Sequence, residues 1–257
     1  MSDGPAKAGG KGRSSAERLG REIAHHRRIA PFAEAIWSWS SPSGTVRAER
    51  RAGLYLAHGA LGPGKQALEL GCGTGLFLAR VATSGASIHA VDLSNDLLDR
   101  ARARVGNLPN VTLSRGNAEA LPFRDRAFDL VYGSSILHHL DLDAALRELL
   151  RVLRPGGRLV FAEPNALNPH LLLIFRVRAL RRHFGVSPDE MAFSRWRARA
   201  ALARAGFADV SVEPYDFLHP STPRSWIGAV SRASLVLERV RLVREIAGSL
   251  LLRARRP

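Results

Sequence analysis

Between Gln66 and Glu163 the apolar residues switch repeatedly between two spacings, one suited to a strand and one to a helix. "QALEL" (66–70) predicts a strand, and Thr74 to Ser84 a helix. "SIHAVD" (87–92) predicts the next strand. A helix from Ser94 to Val105 follows, with Ser94 as its N-cap and Leu97, Leu98, Ala101 and Val105 along one face. "VTLSR" (111–115) and "FDLVYG" (128–133) read as further strands. From Asp141 to Leu153, leucines 142, 146, 149, 150 and 153 recur at helical spacing. "RPGG" (154–157) predicts a turn and "RLVFAE" (158–163) another strand. Strand and helix in alternation predict an α/β fold, a parallel sheet with helices on both faces.

The flanks are less regular. Residues 1–16 are rich in Gly, Ser, Ala and Lys and predict a disordered tail. Residues 17–64 predict a helical arm, with one helix up to about Arg28 and a break at Pro31. "RAERRAGLYLAHGAL" is its second helix, closed by Gly62-Pro63-Gly64. Residues 65–257 form the main domain, with cap helices expected within 166–190 and 222–245. "SRWRARAALARAGF" (194–207) predicts a helix, and "DVSVEPYDFL" a strand that stops at Pro214. "SWIGAVSRASLVLERVRLV" (225–243) predicts an amphipathic helix and "SLLLRARR" (249–256) a last strand.

Composition narrows the picture. A chain of 257 residues with 46% hydrophobic residues is large enough to bury a core. No apolar run approaches the ~20 residues of a spanning helix, and the polar start lacks the apolar stretch of a secretory signal. One cysteine excludes an internal disulfide. Together these point to a cytoplasmic protein. Of the net charge of +15, residues 166–257 carry +9 and residues 65–165 only +1. The basic flanks suit an anionic partner, such as RNA or a phospholipid surface, or are simply a solvated surface.

The chemistry begins at "LELGCGTG", Leu68 to Gly75. Its spacing is G-x-G-x-G, and Leu76 stands where a dinucleotide fold has its third glycine. Glu69 precedes the first glycine by two residues. A pyrophosphate drawn to the helix N-terminus would meet that carboxylate, whereas a cationic ligand would be attracted. S-adenosylmethionine, with a sulfonium and an ammonium and no phosphate, fits this loop better than a nicotinamide cofactor. Asp92, at the end of the second strand, can accept hydrogen bonds from both ribose hydroxyls.

Four motifs in order, "LELGCGTG", "AVDLS", "GNAEALPFRDRAFDLVYGSSILHHL" and "LLRVLRPGGRLVFAEP", resemble the class I S-adenosylmethionine-dependent methyltransferases of the small-molecule, type 11-like family, strongly over residues 66–165. The resemblance implies a Rossmann-like, doubly wound sheet of seven mostly parallel strands with the last antiparallel. It places Glu69, Gly71, Gly73 and Gly75 around the methionine moiety, with Cys72 and Thr74 contributing mainly backbone. Asp92 holds the ribose and Leu93 covers an adenine face. Asn117, Ala118 and Glu119 lie along the adenine edge, with Asn117 where the family usually has Asp. Ser134 lies near the methionine moiety. No metal is implied.

A methyl transfer to a hydroxyl or acidic carbon needs a group to take the proton. His138 and His139, after the fourth strand, are the candidate bases, or else they pack the loop. His25 and His26 of the arm are further candidates. Glu163 and Asn165, after the fifth strand, are expected to touch substrate, since open α/β sheets bind ligands there. Trp37 and Trp39 close over the cofactor as a lid or pack the arm. The helices expected at 170–183 and 225–243 mix Leu, Phe and Val with Arg. This suits an apolar acceptor bearing an anionic group, peripheral contact with a membrane surface, or ordinary amphipathic packing. The acceptor is expected to be small and apolar or lipid-like. A non-catalytic cofactor-binding subunit is the other open reading. RNA methylation is disfavoured because "YGSS" stands where base-nitrogen enzymes carry their Asn/Asp-Pro-Pro-aromatic turn, and Cys72 sits in the cofactor loop rather than at a nucleophile position.

Overall fold

The computed structural model describes residues 15–177, 180–181 and 192–257. The predicted tail at 1–16 falls almost wholly outside these residues, as do parts of the cap expected within 166–190. The first helix already begins at Ser15.

Seven strands form one sheet in the order β3-β2-β1-β4-β5-β7-β6. They are β1 (Gln66–Leu70), β2 (Ser87–Asp92), β3 (Val111–Arg115), β4 (Phe128–Ser134), β5 (Leu153–Pro164), β6 (Ala208–Tyr215) and β7 (Ser249–Arg255). β1 to β5 pair in parallel, and β7 runs antiparallel to both β5 and β6. Helices described in full are α1 (Ser15–Ile29), α2 (Ala33–Ile36), α3 (Pro42–Gly59), α4 (Leu76–Val81), α5 (Asn95–Val105), α6 (Leu142–Val152), α7 (Pro169–Arg176), α8 (Arg195–Arg204) and α9 (Ile227–Leu237).

The central strands are apolar on both sides because both faces are covered. On one face Leu68, Val131 and Phe161 pack with Leu146 and Leu149 of α6 and Ala201 and Leu202 of α8. On the other, Ala67, Leu130 and Val160 pack with Ala52 and Tyr55 of α3, Leu78 of α4 and Leu98 of α5. Each fully buried Leu or Phe contributes roughly 1.5–3 kcal/mol. Local caps fix the helix starts: Ser94 Oγ accepts from Leu97 N–H at 3.4 Å, and Asp141 Oδ1 from Ala144 N–H at 3.0 Å.

Several expected bounds shift: the helix expected at Thr74–Ser84 is Leu76–Val81, and the arm's second helix begins at Pro42. β6 does not stop at Pro214 but pairs it with Leu250. β6 is the sheet edge, where a missing N–H costs no ladder bond. α9 ends at Leu237 rather than Val243, and the chain resumes as a 3-10 turn at Val243–Ile246. β5 begins at Leu153, ahead of the predicted turn, with a register shift between Phe128 and Leu130 of β4 where they pair.

The strand order reverses between β1 and β4. A crevice opens there at the carboxyl ends of the parallel strands, where ligands bind in such sheets.

Candidate functional site

β1 delivers the glycine loop into this crevice. Gly71 has φ 64°, and a Cβ there would lie 2.6 Å from the Ile136 side chain. Gly75 has φ 74°, and a Cβ there would lie 3.2 Å from Ala101 of α5. The first glycine lets β4's loop close over the turn, and the last lets α4 and α5 pack. Asp92 fixes the loop from β2: Oδ2 accepts from Gly73 N–H at 2.8 Å and Oδ1 from Ser94 N–H at 2.9 Å. Each carboxylate oxygen retains a lone pair for a further donor.

Glu69 differs from its sequence reading. It is buried beneath the loop, where Tyr132 Oη donates to Oε2 at 2.8 Å. Burial pushes its carboxyl up to about 8, so it is mostly protonated at neutral pH. Repulsion of a pyrophosphate by a standing charge therefore does not operate there. Burial also pushes the Cys72 thiol up, which leaves it un-ionised. Thr74 Oγ1 donates to Glu34 of α2 at 2.7 Å, and Arg104 meets the same carboxylate at 2.7 Å. The arm is thus pinned to the glycine loop.

Two cavities adjoin the loop. The larger, about 300 Å³, is lined by Gly71, Cys72, Gly73, Thr74, Asp92 and Ser134 on the sheet side. Its opposite wall is mainly apolar, with Ile29, Ile36, Trp37 and Trp39 of the arm beside His25 and His26, and Ile174 and Phe175 from α7. Trp37 lies over the loop, 3.4 Å from where a Cβ on Gly73 would stand. Both tryptophans thus line the cavity as well as packing the arm. The smaller cavity, about 50 Å³, holds Leu93, Asn117 and Ala118. His26, Gly71, Asp92, Ile136 and His139 line both. Glu119 is not in either wall; it is engaged by Arg18 of α1 and accepts from Asp141 N–H at 2.8 Å. Gly75 and Glu69 also lie behind the walls.

His138 and His139 both line the larger cavity. Glu163 and Asn165, expected to touch substrate, do not. Glu163 is fully buried: Oε1 accepts from Ile136 N–H at 3.0 Å and Leu137 N–H at 2.9 Å, and Oε2 lies 2.7 Å from His138 Nδ1. A carboxylate that already accepts from two N–H groups accepts a third hydrogen bond from His138 Nδ1–H, and this tautomer leaves Nε2 as the basic nitrogen. Asn165 Nδ2 donates to the carbonyls of Glu245 and Ala247, both at 2.8 Å. In this structure their polar atoms shape the crevice rather than line either cavity.

His26 of the arm lies among Glu22, His139, His25 and Asp92, and burial lowers its basicity. Arg51 was missed in the sequence. It is buried in α3, where Nη1 donates to Ser134 Oγ at 2.7 Å and Nη2 to Ser249 Oγ at 3.0 Å. The Trp39 ring stacks 5.0 Å from its guanidinium. Its register is a usable signal: Ala48, Arg51, Ala52 and Tyr55 share the buried face of one helix. Ser135, also in the cavity wall, adopts φ 54°, a conformation uncommon outside glycine and frequent at functional sites.

A switch-point crevice with a glycine turn and a strand-end aspartate defines a nucleoside-cofactor enzyme of the α/β class. A family model, the methyltransferase domain, matches residues 68–161. The chain is 38% identical to a demethylmenaquinone methyltransferase of Mycolicibacterium paratuberculosis over 58% of this chain and 66% of that one. It is 31% identical to a demethylmenaquinone methyltransferase of Geobacillus over 60% of this chain and 75% of that one. Among solved structures, an S-adenosylmethionine-dependent methyltransferase from Thermotoga maritima superposes with a TM-score of 0.63 at 21% identity, over 91% of this chain and 100% of that one. The chain belongs to the class I S-adenosylmethionine-dependent methyltransferases of the type 11-like family, and its cofactor is S-adenosylmethionine. It spans 31% to 66% of the length of the curated relatives that it matches at 36% to 40% identity. Among the described residues no helix is long and apolar enough to cross a membrane.

Proposed function

We propose that this methyltransferase acts on a small, apolar or lipid-like acceptor through a hydroxyl or acidic carbon, and that His138 takes the acceptor's proton. The observation that carries this reading is one imidazole, polarised by the buried Glu163, in a cavity whose far wall is mainly apolar. The demethylmenaquinone methyltransferases among the relatives support an apolar acceptor by their names.

In this reading Asp92 holds the ribose, with Leu93, Asn117 and Ala118 on the adenine side. Gly71 to Thr74 and Ser134 surround the methionine moiety. Glu69, Gly75 and Glu119 support these walls from behind. The arm, residues 17–64, closes the site built by residues 65–257. The cofactor supplies an electrophilic methyl group on a sulfonium. The protein aligns the acceptor with it, excludes water with Trp37 and Trp39, and moves one proton to His138 Nε2. His139 lies beside it as the second candidate, with ring centroids 4.3 Å apart.

The test is methyl transfer from radiolabelled cofactor, with label scored separately in organic-soluble, aqueous, RNA and protein fractions. Label in the organic-soluble fraction is expected, and label confined to RNA or protein overturns the reading. His138→Gln should lower kcat by about 10²–10⁴-fold and leave cofactor affinity nearly unchanged. An unchanged kcat would remove His138 as the base.

A further inference from the structure

α9 is an apolar helix with little to cover it among the described residues. Only Ile227 and Ser234 are buried along its length. Past its end Val240 and Ile246 are exposed, and Leu242 is 86% exposed. Leu235 and Val236 are exposed on the helix itself, and Trp226, before its first turn, is 64% exposed. Water-facing surfaces rarely gather so many large apolar side chains without a partner.

The charges between them are one-sided. Residues 224–246 carry five arginines and two glutamates. Both glutamates turn inward. Glu238 accepts from Arg50 at 2.6 and 2.8 Å, and Glu245 meets Arg195 at 3.1 Å. Among the described residues Arg224, Arg232, Arg239 and Arg241 have no carboxylate within salt-bridge reach. Among the described residues, the charges that face outward here are cationic.

This surface reaches the site. Asn168 Nδ2, at the cap of α7, donates to the Ile246 carbonyl at 2.9 Å. On α7, Leu171, Ile174 and Phe175 line the larger cavity, while Leu173 and, just past the helix end, Val177 are exposed. The cavity wall and the outward surface are thus two sides of one short helix.

We propose that residues 224–246 dock this enzyme on an anionic lipid surface, and that an apolar acceptor enters the cavity along α7. The purpose of the docking rests on the apolar-acceptor reading, but the surface itself does not. Guanidinium groups around protruding Leu, Val and Trp match the boundary between charged headgroups and acyl chains. A second copy of the chain is a poorer occupant, because a two-fold contact would set these arginines against their own equivalents.

The test is flotation of the full chain with vesicles of phosphatidylcholine, with and without phosphatidylglycerol. Flotation only with phosphatidylglycerol, weakened by salt, is expected. Arg239→Gln with Arg241→Gln should reduce partitioning on the order of tenfold or more. Val240→Ser with Leu242→Ser should reduce it at every salt concentration. All four positions are exposed and outside the cavity, so thermal melting and cofactor affinity should not change. No flotation, or equal flotation of the variants, overturns the proposal. So does a dimer or a stable complex with an acidic protein that the serine variants dissolve while vesicles leave the protein unbound. Flotation needs no turnover, so its failure leaves the acceptor reading standing, and a failed methyl transfer leaves the flotation result standing.

Discussion

Glu69 is held as a neutral acid at neutral pH because desolvation outweighs the single hydrogen bond from Tyr132. Folding therefore takes up a proton at this group. Its contribution to stability is greatest below the ordinary carboxyl value of 4.5 and declines as pH rises toward about 8. A cation brought into the cavity above reverses the balance. Binding of S-adenosylmethionine near pH 7 should release close to one proton, and S-adenosylhomocysteine, without the sulfonium, fewer. Calorimetry in buffers of differing ionisation enthalpy measures this directly, and Glu69→Gln should abolish it. Equal proton release in the Gln variant would place the titrating group elsewhere. The sequence reading took Glu69 as a standing charge, and burial makes it a neutral acid. The glycine spacing, Asp92 and Leu76 are local and legible, but the proton on Glu69 depends on burial under β4, whose Tyr132 lies 63 residues away.

The elements were legible where short-range signals set them. β1, β2 and β3 have the bounds that alternation predicts, and Ser94 and Asp141 cap the helices that they precede. What could not be read was the position of α1. It lies across the crevice, with Arg18 engaging Glu119 and donating to the His139 carbonyl at 3.0 Å. Arg100 of α5 ties down the end of α1 through the carbonyls of Ala30 and Pro31, just past it, at 2.5 and 2.6 Å. With α1 there, the Asn117 side of the crevice encloses about 50 Å³, far less than the ~300 Å³ of a typical ligand pocket. Adding S-adenosylhomocysteine should therefore alter hydrogen exchange in residues 15–29 more than in β1 to β5. His26 makes the same element sensitive to pH. Burial lowers its proton affinity below the ordinary 6.5. An opened arm then binds more protons than a closed one between 6.5 and that lowered value, so the closed form loses stability as pH falls through this window. Protection of α1 should drop under mild acid, and His26→Leu should flatten the dependence. Exchange in α1 that ignores both ligand and pH would leave the arm as a fixed wall.

Across the whole molecule, Arg51 ties the arm to the sheet. From α3 it reaches Ser134 at the end of β4 and Ser249 at the start of β7, residues 83 and 198 positions away. Among the described residues its hydrogen-bond partners are hydroxyls, since the nearby Asp216 is paired to Arg47 at 2.7 Å. Two effects oppose when it is replaced by Met. Lost hydrogen bonds cost about 0.5–1.5 kcal/mol each, more for a charged donor. Keeping a cation out of water costs several kcal/mol, which an apolar side chain of similar length recovers. These nearly cancel, so Arg51→Met should shift Tm by only a few degrees, at roughly 2–4 °C per kcal/mol for a chain of this size. Binding has no such compensation. Ser134 and Ser135 line the cavity, and both lose the donor that fixes them. Cofactor affinity should fall by about tenfold, which matches one charge-assisted hydrogen bond of about 1.4 kcal/mol. A scanning melt and a binding titration on the same preparation decide the matter. A fall in Tm above roughly 10 °C with affinity intact would mark Arg51 as a structural tie. A preserved Tm with weakened binding would mean that the fold carries a buried cation for the sake of its ligand.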